Sequence, residues 1–358
     1  MRRTAIHKRS PRKKTGQSPR MKAGQTDNVI GVDVGGTNIV CAVVDRHYRI
    51  ISRTSRLTQG SLGASHVLAN IKKSIREVAD ALPMGLAGIG GLGVGSPGFV
   101  CPEEGIVRFA ANIPGWKDVF LARILEDEFG LPAVIGHDVD LAALAEKDYG
   151  AGRGKNHLVC LTVGTGIGMG MVLNGRIFRG ARCGAGNLGH MAIPANSQRD
   201  RNAGWERLEQ LSSGPAIRAK AIRAIQDGAD TSLRELAGGV MDTVDARMVC
   251  QAARGGDEVS RSILRKAAWY LGIAISNVIH LLDPEIVIVG GGLAEAGDLF
   301  FEPLRGSVRA HDELFQYLQI PIVPAALGSD AALIGAACIA WEKLAEDRKH
   351  HRQRGAAE

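Results

Sequence analysis

The chain has 358 residues, of which 45% are hydrophobic and 23% are charged, a composition typical of a globular protein with about two domains. Its six cysteines form no CxxC pair, which excludes zinc-finger and disulfide frameworks, and its 46 glycines against 4% aromatic residues disfavour recognition of stacked bases. Because no run of 18 apolar residues and no apolar leader is present, we expect a cytoplasmic protein without a membrane partner.

The net charge of +7 resides in the first 26 residues. Nine Lys or Arg residues and no acid lie there, so the remainder of the chain carries a net charge of −2 and gives no reason to expect nucleic-acid binding. The tail 1–26 is predicted to be disordered. Four interpretations stay open for it: a solvated extension, a misassigned start with Met21 as the true one, an anion- or nucleic-acid-binding arm, or an Arg-rich transit peptide.

From Asn28 onward the pattern is that of an α/β protein. Two apolar runs joined by a glycine turn predict a strand–turn–strand unit, and apolar residues at three- and four-residue spacing predict a helix after it. In chain order we predict strands at 29–34, 39–45 and 48–56, a helix at 64–82, a glycine-rich strand region at 86–99, a helix at 119–129, a strand at 133–136 and a helix at 139–148.

A second hairpin at 158–178 repeats the plan of the first with an offset of 129 residues. Asp33 corresponds to Thr162, and the turn Gly35-Gly36-Thr37 corresponds to Gly164-Thr165-Gly166. Two such units predict an internal duplication, with one hairpin in each of two domains and a cleft between them. The elements predicted after it are helices at 214–226 and 258–282, a strand at 285–293 and a helix at 329–345.

The glycine turns present several backbone N–H groups and a hydroxyl to one point, as a phosphate cradle does. One such turn alone is explained equally well by the steric needs of a hairpin. Two copies, together with Gly290-Gly291-Gly292 after an apolar strand, favour a nucleoside triphosphate site. The GxGxxG match from Gly88 to Gly93 precedes more strand-like residues, so we interpret it as a packing feature.

Seven motifs in order over residues 28–345 carry a resemblance: GVDVGGTNI, GVGSPGF, NIPGW, HDVDLAALAE, LTVGTGIGMG, GAGNLGHM and IVIVGGGL. The chain resembles the ROK family of sugar kinases and related regulators, within the actin-like ATPase superfamily. The resemblance implies an α/β fold with two similar actin-like ATPase (ribonuclease H-like) domains and a central interdomain cleft. It places 27–136 plus 326–346 in a small domain and 137–325 in a large one, with 347–358 as a frayed tail.

The resemblance also implies transfer of the γ-phosphoryl group of Mg-ATP to a hexose hydroxyl, most often converting glucose to glucose 6-phosphate, by a homodimer or homotetramer. Such transfer needs a carboxylate to accept the hydroxyl proton. Asp138 follows a short strand and opens a helix, so it is either this base or a helix N-cap, and the resemblance favours the base. Asp33 suits a water-mediated contact to Mg²⁺, with an Asx turn as the alternative.

The family motifs assign the remaining site residues. For ATP they indicate Asp33, Gly35, Gly36, Thr37, Thr165, Gly166, Gly290, Gly291 and Gly292. For the sugar they indicate Asn112, Asp138, Asn187, His190 and Glu209. Taken alone, Asn112 is typical of a turn and His190 of a loop, so their assignment depends on the set.

The chain departs from the family pattern at three places. His137 stands where the family usually has Asn, and Asn187 stands where it usually has the Glu of an ExGH motif. A cysteine cluster that binds structural zinc in many members is replaced by Asp200, Asn202 and Arg207, so we expect no structural zinc.

Other functions stay open at this stage. The substrate could be another hexose or N-acetylhexosamine, such as fructose, N-acetylmannosamine or N-acetylglucosamine, and the donor could be polyphosphate. A non-catalytic sugar sensor is a further alternative, because Asn187 lacks the charge of Glu. A DNA-binding repressor is disfavoured, since the about 27 residues before the first strand are expected to be too few for a helix-turn-helix unit.

Overall fold

The structure is a computed structural model that describes residues 27–194, 205–311 and 319–355, with side chains to residue 350. The basic segment 1–26 lies outside the described residues, as do positions 200 and 202 of the loop that we expect to lack zinc. The expectations for these residues therefore stay predictions.

Groups of strands are separated by helices along the chain. The strands are β1 (Asn28–Val34), β2 (Asn38–Asp45), β3 (Ile50–Leu57), β4 (Ile89–Ser96), β5 (Phe99–Cys101), β6 (Ile106–Phe109), β7 (Lys117–Val119), β8 (Ala133–His137), β9 (Leu158–Val163), β10 (Ile167–Leu173), β11 (Arg176–Ile177), β12 (Ala192–Pro194), β13 (Trp205–Arg207), β14 (Ile286–Gly290) and β15 (Ile322–Pro324). The helices are α1 (Ala64–Asp80), α2 (Leu121–Phe129), α3 (Asp138–Tyr149), α4 (Leu208–Ser212), α5 (Gly214–Gln226), α6 (Leu233–Leu236), α7 (Ala246–Arg254), α8 (Glu258–Leu282), α9 (Asp298–His311) and α10 (Ala331–Gly355).

Two five-stranded sheets share one plan. The first has the order β3-β2-β1-β4-β8 and the second β11-β10-β9-β14-β15. In each, the central strand pairs antiparallel with the next strand of its hairpin and parallel with a later strand. This repetition confirms the predicted internal duplication and the α/β fold with two actin-like ATPase domains.

Two smaller sheets were not predicted from the sequence. β5, β6 and β7 form an antiparallel sheet, and β12 pairs antiparallel with β13. Most of these strands have three residues. A run of that length shows too little alternation of apolar and polar residues to identify a strand.

The long helices follow the predicted patterns. α1 buries the apolar side chains of Val67, Ile71, Ile75 and Val78 at the predicted three- and four-residue spacing. α8 begins and ends at the predicted residues. At its beginning, the Asp257 carboxylate accepts a hydrogen bond from the Ser260 backbone N–H at 2.7 Å and caps the first turn.

α10 corrects the prediction that the chain frays from residue 347. The helix continues to Gly355. Residues 346–354 contain neither glycine nor proline and are mostly strong helix formers, and an ion pair of 3.0 Å joins Lys343 to Asp347 one turn later.

Glycine allows α10 to pack directly against β4 and α3. A Cβ atom on Gly93 of β4 would overlap the carbonyl oxygen of Ala336, and one on Gly335 would overlap the carbonyl oxygen of Leu141. Gly93 ends the GxGxxG match, whose interpretation as a packing feature is thus supported. On its other side α3 meets β10 of the second sheet, where a Cβ atom on Gly170 would overlap the Val139 carbonyl oxygen. α3 therefore lies between the two sheets.

The fully buried carboxylate of Glu146 ties the end of α3 to a chain segment between the sheets. It accepts backbone hydrogen bonds from Ala151 at 2.8 Å, Ala326 at 3.2 Å and Leu327 at 2.7 Å. Residues 326 and 327 lead from β15 of the second sheet toward α10, which packs on the first. Of the helices in the described ranges, none has the length and apolar character needed to cross a lipid bilayer.

Candidate active site

Two carboxylates lie at the carboxyl edge of the first sheet. Asp33 is near the end of β1, and Asp138 directly follows β8. Gly95 of β4 lies between them, paired with Asp33 on one side and with Gly136 on the other. Two strand spacings, roughly 10 Å, separate Asp33 from Gly136, and Asp138 lies two residues beyond Gly136. A Cβ atom on Gly95 would lie 3.2 Å from the Leu141 side chain and 3.7 Å from the Asp138 Cα atom, so the start of α3 packs closely against this glycine.

Both carboxylates have raised pKa values. Burial and, second, repulsion from Asp138 raise the pKa of Asp33 to about 7. Burial also raises the pKa of Asp138, against opposing effects of His137 and of a hydrogen bond from the Val139 backbone N–H at 2.8 Å. The His137 Nε2 atom lies 3.4 Å from the Asp138 Oδ1 atom. A pair of carboxyl groups perturbed in this way is typical of a functional site.

The structure decides against an N-cap role for Asp138. The N-cap position of α3 is held by His137, and Asp138 is the first helical residue. The turn after Asp33 is closed by backbone atoms, since the Gly35 N–H donates to the Asn38 carbonyl oxygen at 2.9 Å. Neither carboxylate is therefore needed to build the element that carries it.

The two glycine turns face each other. A Cβ atom built on Gly36 would lie 3.9 Å from the Thr165 Cγ2 atom, and Gly36, Thr37 and Thr165 are exposed. The second turn is closed by a hydrogen bond of 2.9 Å from the Gly164 N–H to the Gly166 carbonyl oxygen. The structure thus brings together the two turns that the sequence indicates as a phosphate cradle.

The amino terminus of α5 adjoins the second turn, a contact between distant segments that the sequence does not reveal. The Gly214 N–H donates to the Gly164 carbonyl oxygen at 2.8 Å, and the Ser213 side chain caps the helix. The amino end of this 13-residue helix adds positive potential beside the turn, which favours an anionic group there.

The three glycines after β14 have different surroundings. A Cβ atom on Gly290 would lie 3.1 Å from the Ala325 Cβ, and one on Gly291 would lie 2.5 Å from the Val163 carbonyl oxygen. Gly291 also has a φ of 85°, in the left-handed region. Around Gly292 a Cβ atom would meet no described atom within 4 Å, so this residue leaves open space beside the second hairpin.

Glu209 links the second turn to the 184–191 loop. Its Oε2 atom accepts a hydrogen bond of 3.0 Å from the Ile167 N–H, next to Gly166. The same oxygen lies 3.2 Å from where a Cβ atom on Gly189 would be. Glu209 therefore adjoins both the predicted phosphate turn and the predicted sugar loop.

Asn187 and His190 are on one short helical turn and line a cavity of about 440 Å³. Most other lining residues are apolar and come from β10 and the end of α8: Met169, Met171, Val278, Leu281 and Leu282. The Asn187 Nδ2 atom donates to the Gly184 carbonyl oxygen at 2.8 Å. Asp138 is not among the residues lining this cavity. The structure thus brings Asn187 and His190 together, and their sugar-binding role stays a prediction.

Asn112 lies in the turn between β6 and β7. Its side chain is exposed, and its carbonyl oxygen is 2.9 Å from where a Cβ atom on Gly60 would be. These contacts agree with a turn residue, so its sugar-binding role also stays a prediction.

The described part of the zinc-loop region includes Arg207, which ends β13 and whose N–H donates to the Gln210 side chain at 3.1 Å. Across the described ranges, no group of three or more His, Cys, Asp and Glu residues is placed to hold a metal ion. The absence of zinc stays a prediction, because positions 200 and 202 lie outside those ranges.

Asp140 and Arg179 form a further polar contact that the sequence did not reveal. Burial raises the pKa of Asp140 to about 6, although His137 and Arg179 lower it. The Arg179 Nε atom lies 3.4 Å from Asp140 Oδ2, and Arg179 Nη1 lies 3.9 Å from Glu103 Oε1. Arg179 thus extends from the second hairpin to the first turn of α3. In the sequence, the two-residue spacing of Asp138 and Asp140 was the one feature that could have suggested a second carboxylate beside the proposed base.

Comparison with known proteins identifies relatives along nearly the whole described chain. The model of the ROK family matches residues 29–343. A glucokinase of Thermotoga maritima is 34% identical over 316 residues, which is 88% of this chain and 98% of that protein. A xylose repressor of Caldicellulosiruptor bescii is 32% identical over 75% of this chain and 65% of that protein.

Among solved structures, a ROK family glucokinase from Streptomyces griseus in complex with glucose and AMPPNP has a TM-score of 0.76 and 30% identity. The match covers 88% of this chain and 99% of that one.

Proposed function

Because this chain belongs to the ROK family, we propose that it is a sugar kinase, which transfers the γ-phosphoryl group of Mg-ATP to a hexose hydroxyl. The observation that carries the proposal is the position of Asp138. It opens α3 at the edge of the first sheet, near Asp33, while two glycine turns of the kind that cradle phosphates face each other in the same fold.

The Asp138 carboxylate is the proposed base. It accepts the proton of the attacking hydroxyl as the sugar oxygen bonds to the γ-phosphorus, and the bond from that phosphorus to the bridging oxygen of ADP breaks. Burial raises the pKa of Asp138, which makes its carboxylate a better proton acceptor. His137, at 3.4 Å, moderates the effect and keeps more of the carboxylate ionised.

The residues present fit a magnesium ion. Asp33 offers a hard oxygen ligand whose ionised form is unfavourable in this buried position, and a cation nearby would offset that cost. Mg²⁺ would be held through water by Asp33 and would neutralise phosphate charge. The turn residues Gly35, Gly36, Thr37, Thr165 and Gly166 are proposed to hold the phosphates, and Gly290, Gly291 and Gly292 to adjoin the adenosine.

Glucose is the proposed substrate, with Asn112, Asp138, Asn187, His190 and Glu209 as its binding residues. Its support is that the relatives from Thermotoga maritima and Streptomyces griseus are named glucokinases, and the latter was solved with glucose. The amide of Asn187 stands where the family has a carboxylate and can donate as well as accept hydrogen bonds. Fructose, N-acetylmannosamine and N-acetylglucosamine are therefore the alternatives, and we expect a homodimer or homotetramer.

A non-catalytic sugar sensor is the second candidate. The observation that favours it is Asn187, since a xylose repressor is also among the relatives and the amide lacks the charge of Glu. The raised pKa of both Asp33 and Asp138 favours the kinase instead, because a sensor has no use for two destabilising acids.

The test is release of ADP from Mg-ATP by purified protein with each of a panel of hexoses and N-acetylhexosamines, repeated with polyphosphate as donor. We expect turnover with glucose and ATP. Turnover with another sugar alone would correct the substrate, and turnover with polyphosphate alone would correct the donor. Absence of turnover, together with sugar binding detected by calorimetry, would support the sensor and overturn the kinase.

A further inference from the structure

Cys101 and Cys183 differ from the other cysteines of the chain. All six thiols are free, and Cys41, Cys160, Cys250 and Cys338 are buried, whereas these two are partly exposed. Cys101 ends β5, which follows the first sheet, and Cys183 lies in the loop after β11 of the second sheet. The two accessible thiols therefore come from opposite halves of the fold.

Several contacts hold the two cysteine segments side by side. The Cys101 thiol is near enough to Cys183 to be among the groups that raise its pKa, and the Cys183 Sγ atom lies 3.9 Å from Glu103 Oε2. A Cβ atom on Gly184 would lie 3.1 Å from the ring of Phe99. Contacts on both sides of the thiol pair show that β5 and the loop run next to each other.

The loop that carries Cys183 also carries a predicted sugar-binding residue. Cys183 has a φ of 55°, in the left-handed region, and the Ala185 N–H donates to the Arg179 carbonyl oxygen at 3.0 Å. The Asn187 side chain donates to the Gly184 carbonyl oxygen, one residue after Cys183. A covalent bond at Cys183 would therefore restrain the loop segment next to Asn187.

We propose that Cys101 and Cys183 are a redox-sensitive pair, which hydrogen peroxide converts into a reversible disulfide between the two domains. The disulfide fixes the 184–191 loop against β5 and thereby prevents the domains from opening for sugar entry and product release. Formation of the bond rests on the contacts between the two cysteine segments, whereas its effect on turnover rests on the proposed function. Transient disulfides of this kind occur in reducing compartments as sensors.

The chemistry balances with one peroxide. One of the two sulfurs attacks a peroxide oxygen, the O–O bond breaks, and a sulfenic acid and one water result. The other sulfur loses its proton and attacks the oxidised sulfur, the S–O bond breaks, and a second water leaves. The two thiols together give up two electrons and two protons, and an added thiol reverses the reaction by exchange.

The experiment treats the full-length protein with hydrogen peroxide and compares it with the single variants Cys101→Ser and Cys183→Ser. The matched control is Cys250→Ser, which removes a buried cysteine of α7. Peptide mapping without reductant should find Cys101 joined to Cys183 in the wild type and in the control, with two thiols lost per chain. Turnover should fall at least roughly tenfold in both and return on adding dithiothreitol. After the same peroxide treatment, Cys101→Ser and Cys183→Ser should each retain their turnover.

The peptide map separates failure of this proposal from failure of the proposed function, because it needs no substrate. A wild type without the Cys101–Cys183 peptide overturns the thiol pair. A disulfide that forms while turnover persists overturns the restraint on opening. If no sugar is phosphorylated at all, a joined peptide still supports the thiol pair, and the claim about turnover fails with the proposed function.

Discussion

Three carboxylates surround the start of α3, and burial raises the pKa of each. They are Asp33 on β1 and Asp138 and Asp140 on α3. Their ionised forms are unfavourable in the folded protein, so this cluster lowers stability at neutral pH. We attribute it to function, since acids with raised pKa values suit proton transfer and cation binding.

The substitution Asp140→Asn tests this cost. The pKa of Asp140 is raised from 3.8 to about 6, so between these values the folded protein keeps a proton that the unfolded chain has lost, and the free energy of unfolding falls as pH rises. The Asn side chain of the variant does not bind or release this proton, so its stability does not change with pH for this reason. The free energy of unfolding of the variant minus that of the wild type should therefore be about 2 kcal/mol larger near pH 7.5 than near pH 4.5.

Urea unfolding at the two pH values measures this difference. The control is Asp148→Asn near the end of α3, where the Asp148 side chain is 32% exposed and pairs with Lys147. If the free energy of unfolding of Asp140→Asn differs from that of the wild type by the same amount at both pH values, the raised pKa of Asp140 is contradicted.

His137 should set the acid limb of the pH profile. Its imidazole lies 3.4 Å from Asp138 Oδ1 and, when protonated, lowers the pKa of that carboxylate. Replacing it by the family's usual residue in His137→Asn removes the cation, so the pKa of Asp138 rises. The acid limb of kcat/KM, measured between about pH 5 and 9, should then move to higher pH. An unchanged limb, or a move to lower pH, would show that His137 does not act on the base.

At the scale of elements, the position of α3 depends on glycines of its neighbours. The substitution Gly335→Ala puts a methyl group against the Leu141 carbonyl oxygen, so α10 and α3 must separate. We expect a loss of roughly 1–3 kcal/mol in the free energy of unfolding and a lower kcat, because α3 carries Asp138.

The matched control for this substitution is Gly306→Ala in α9, where an added Cβ atom would meet only the end of the Arg309 side chain, at 3.9 Å. Because alanine favours a helix over glycine, the control should gain about 0.5–1 kcal/mol. Denaturation of both variants alongside the wild type checks the pair. Equal effects would contradict the close contact between α10 and α3.

The long elements were predictable from the sequence, and the short ones were not. α5 and α8 begin and end where apolar spacing and capping residues predict. The repeated Gly/Thr turns predicted two sheets with corresponding strand orders. The short strands β5 and β7 carry no period, and the end of α10 depends on helix-forming polar residues without an apolar face. The sequence placed Asp33 and Asp138 each beside a strand end, but their nearness to each other across β4 needed the structure. The contact of Asp140 with Arg179 joins distant segments and needed the structure.

In the whole molecule, the two glycine turns lie close together, since a Cβ atom on Gly36 would be 3.9 Å from the Thr165 Cγ2 atom. This is the arrangement expected of closed domains. We expect the sugar substrate to draw the domains together, which excludes water from the site. Small-angle scattering should show a smaller radius of gyration when sugar is added.

Peroxide-treated protein is the control for the scattering experiment, since the proposed disulfide should prevent any change on adding sugar. Reduced protein that shows no contraction with sugar would count against domain closure.

The role of Asp138 as the base of a sugar kinase is tested by the substitution Asp138→Asn, with Asp148→Asn on the same helix as control. With Mg-ATP and the sugar that supports turnover, kcat of Asp138→Asn should fall by about 100-fold or more, while calorimetry detects sugar binding close to that of the wild type. The control should keep its turnover. A kcat for Asp138→Asn within about twofold of the wild type would show that Asp138 is not the base.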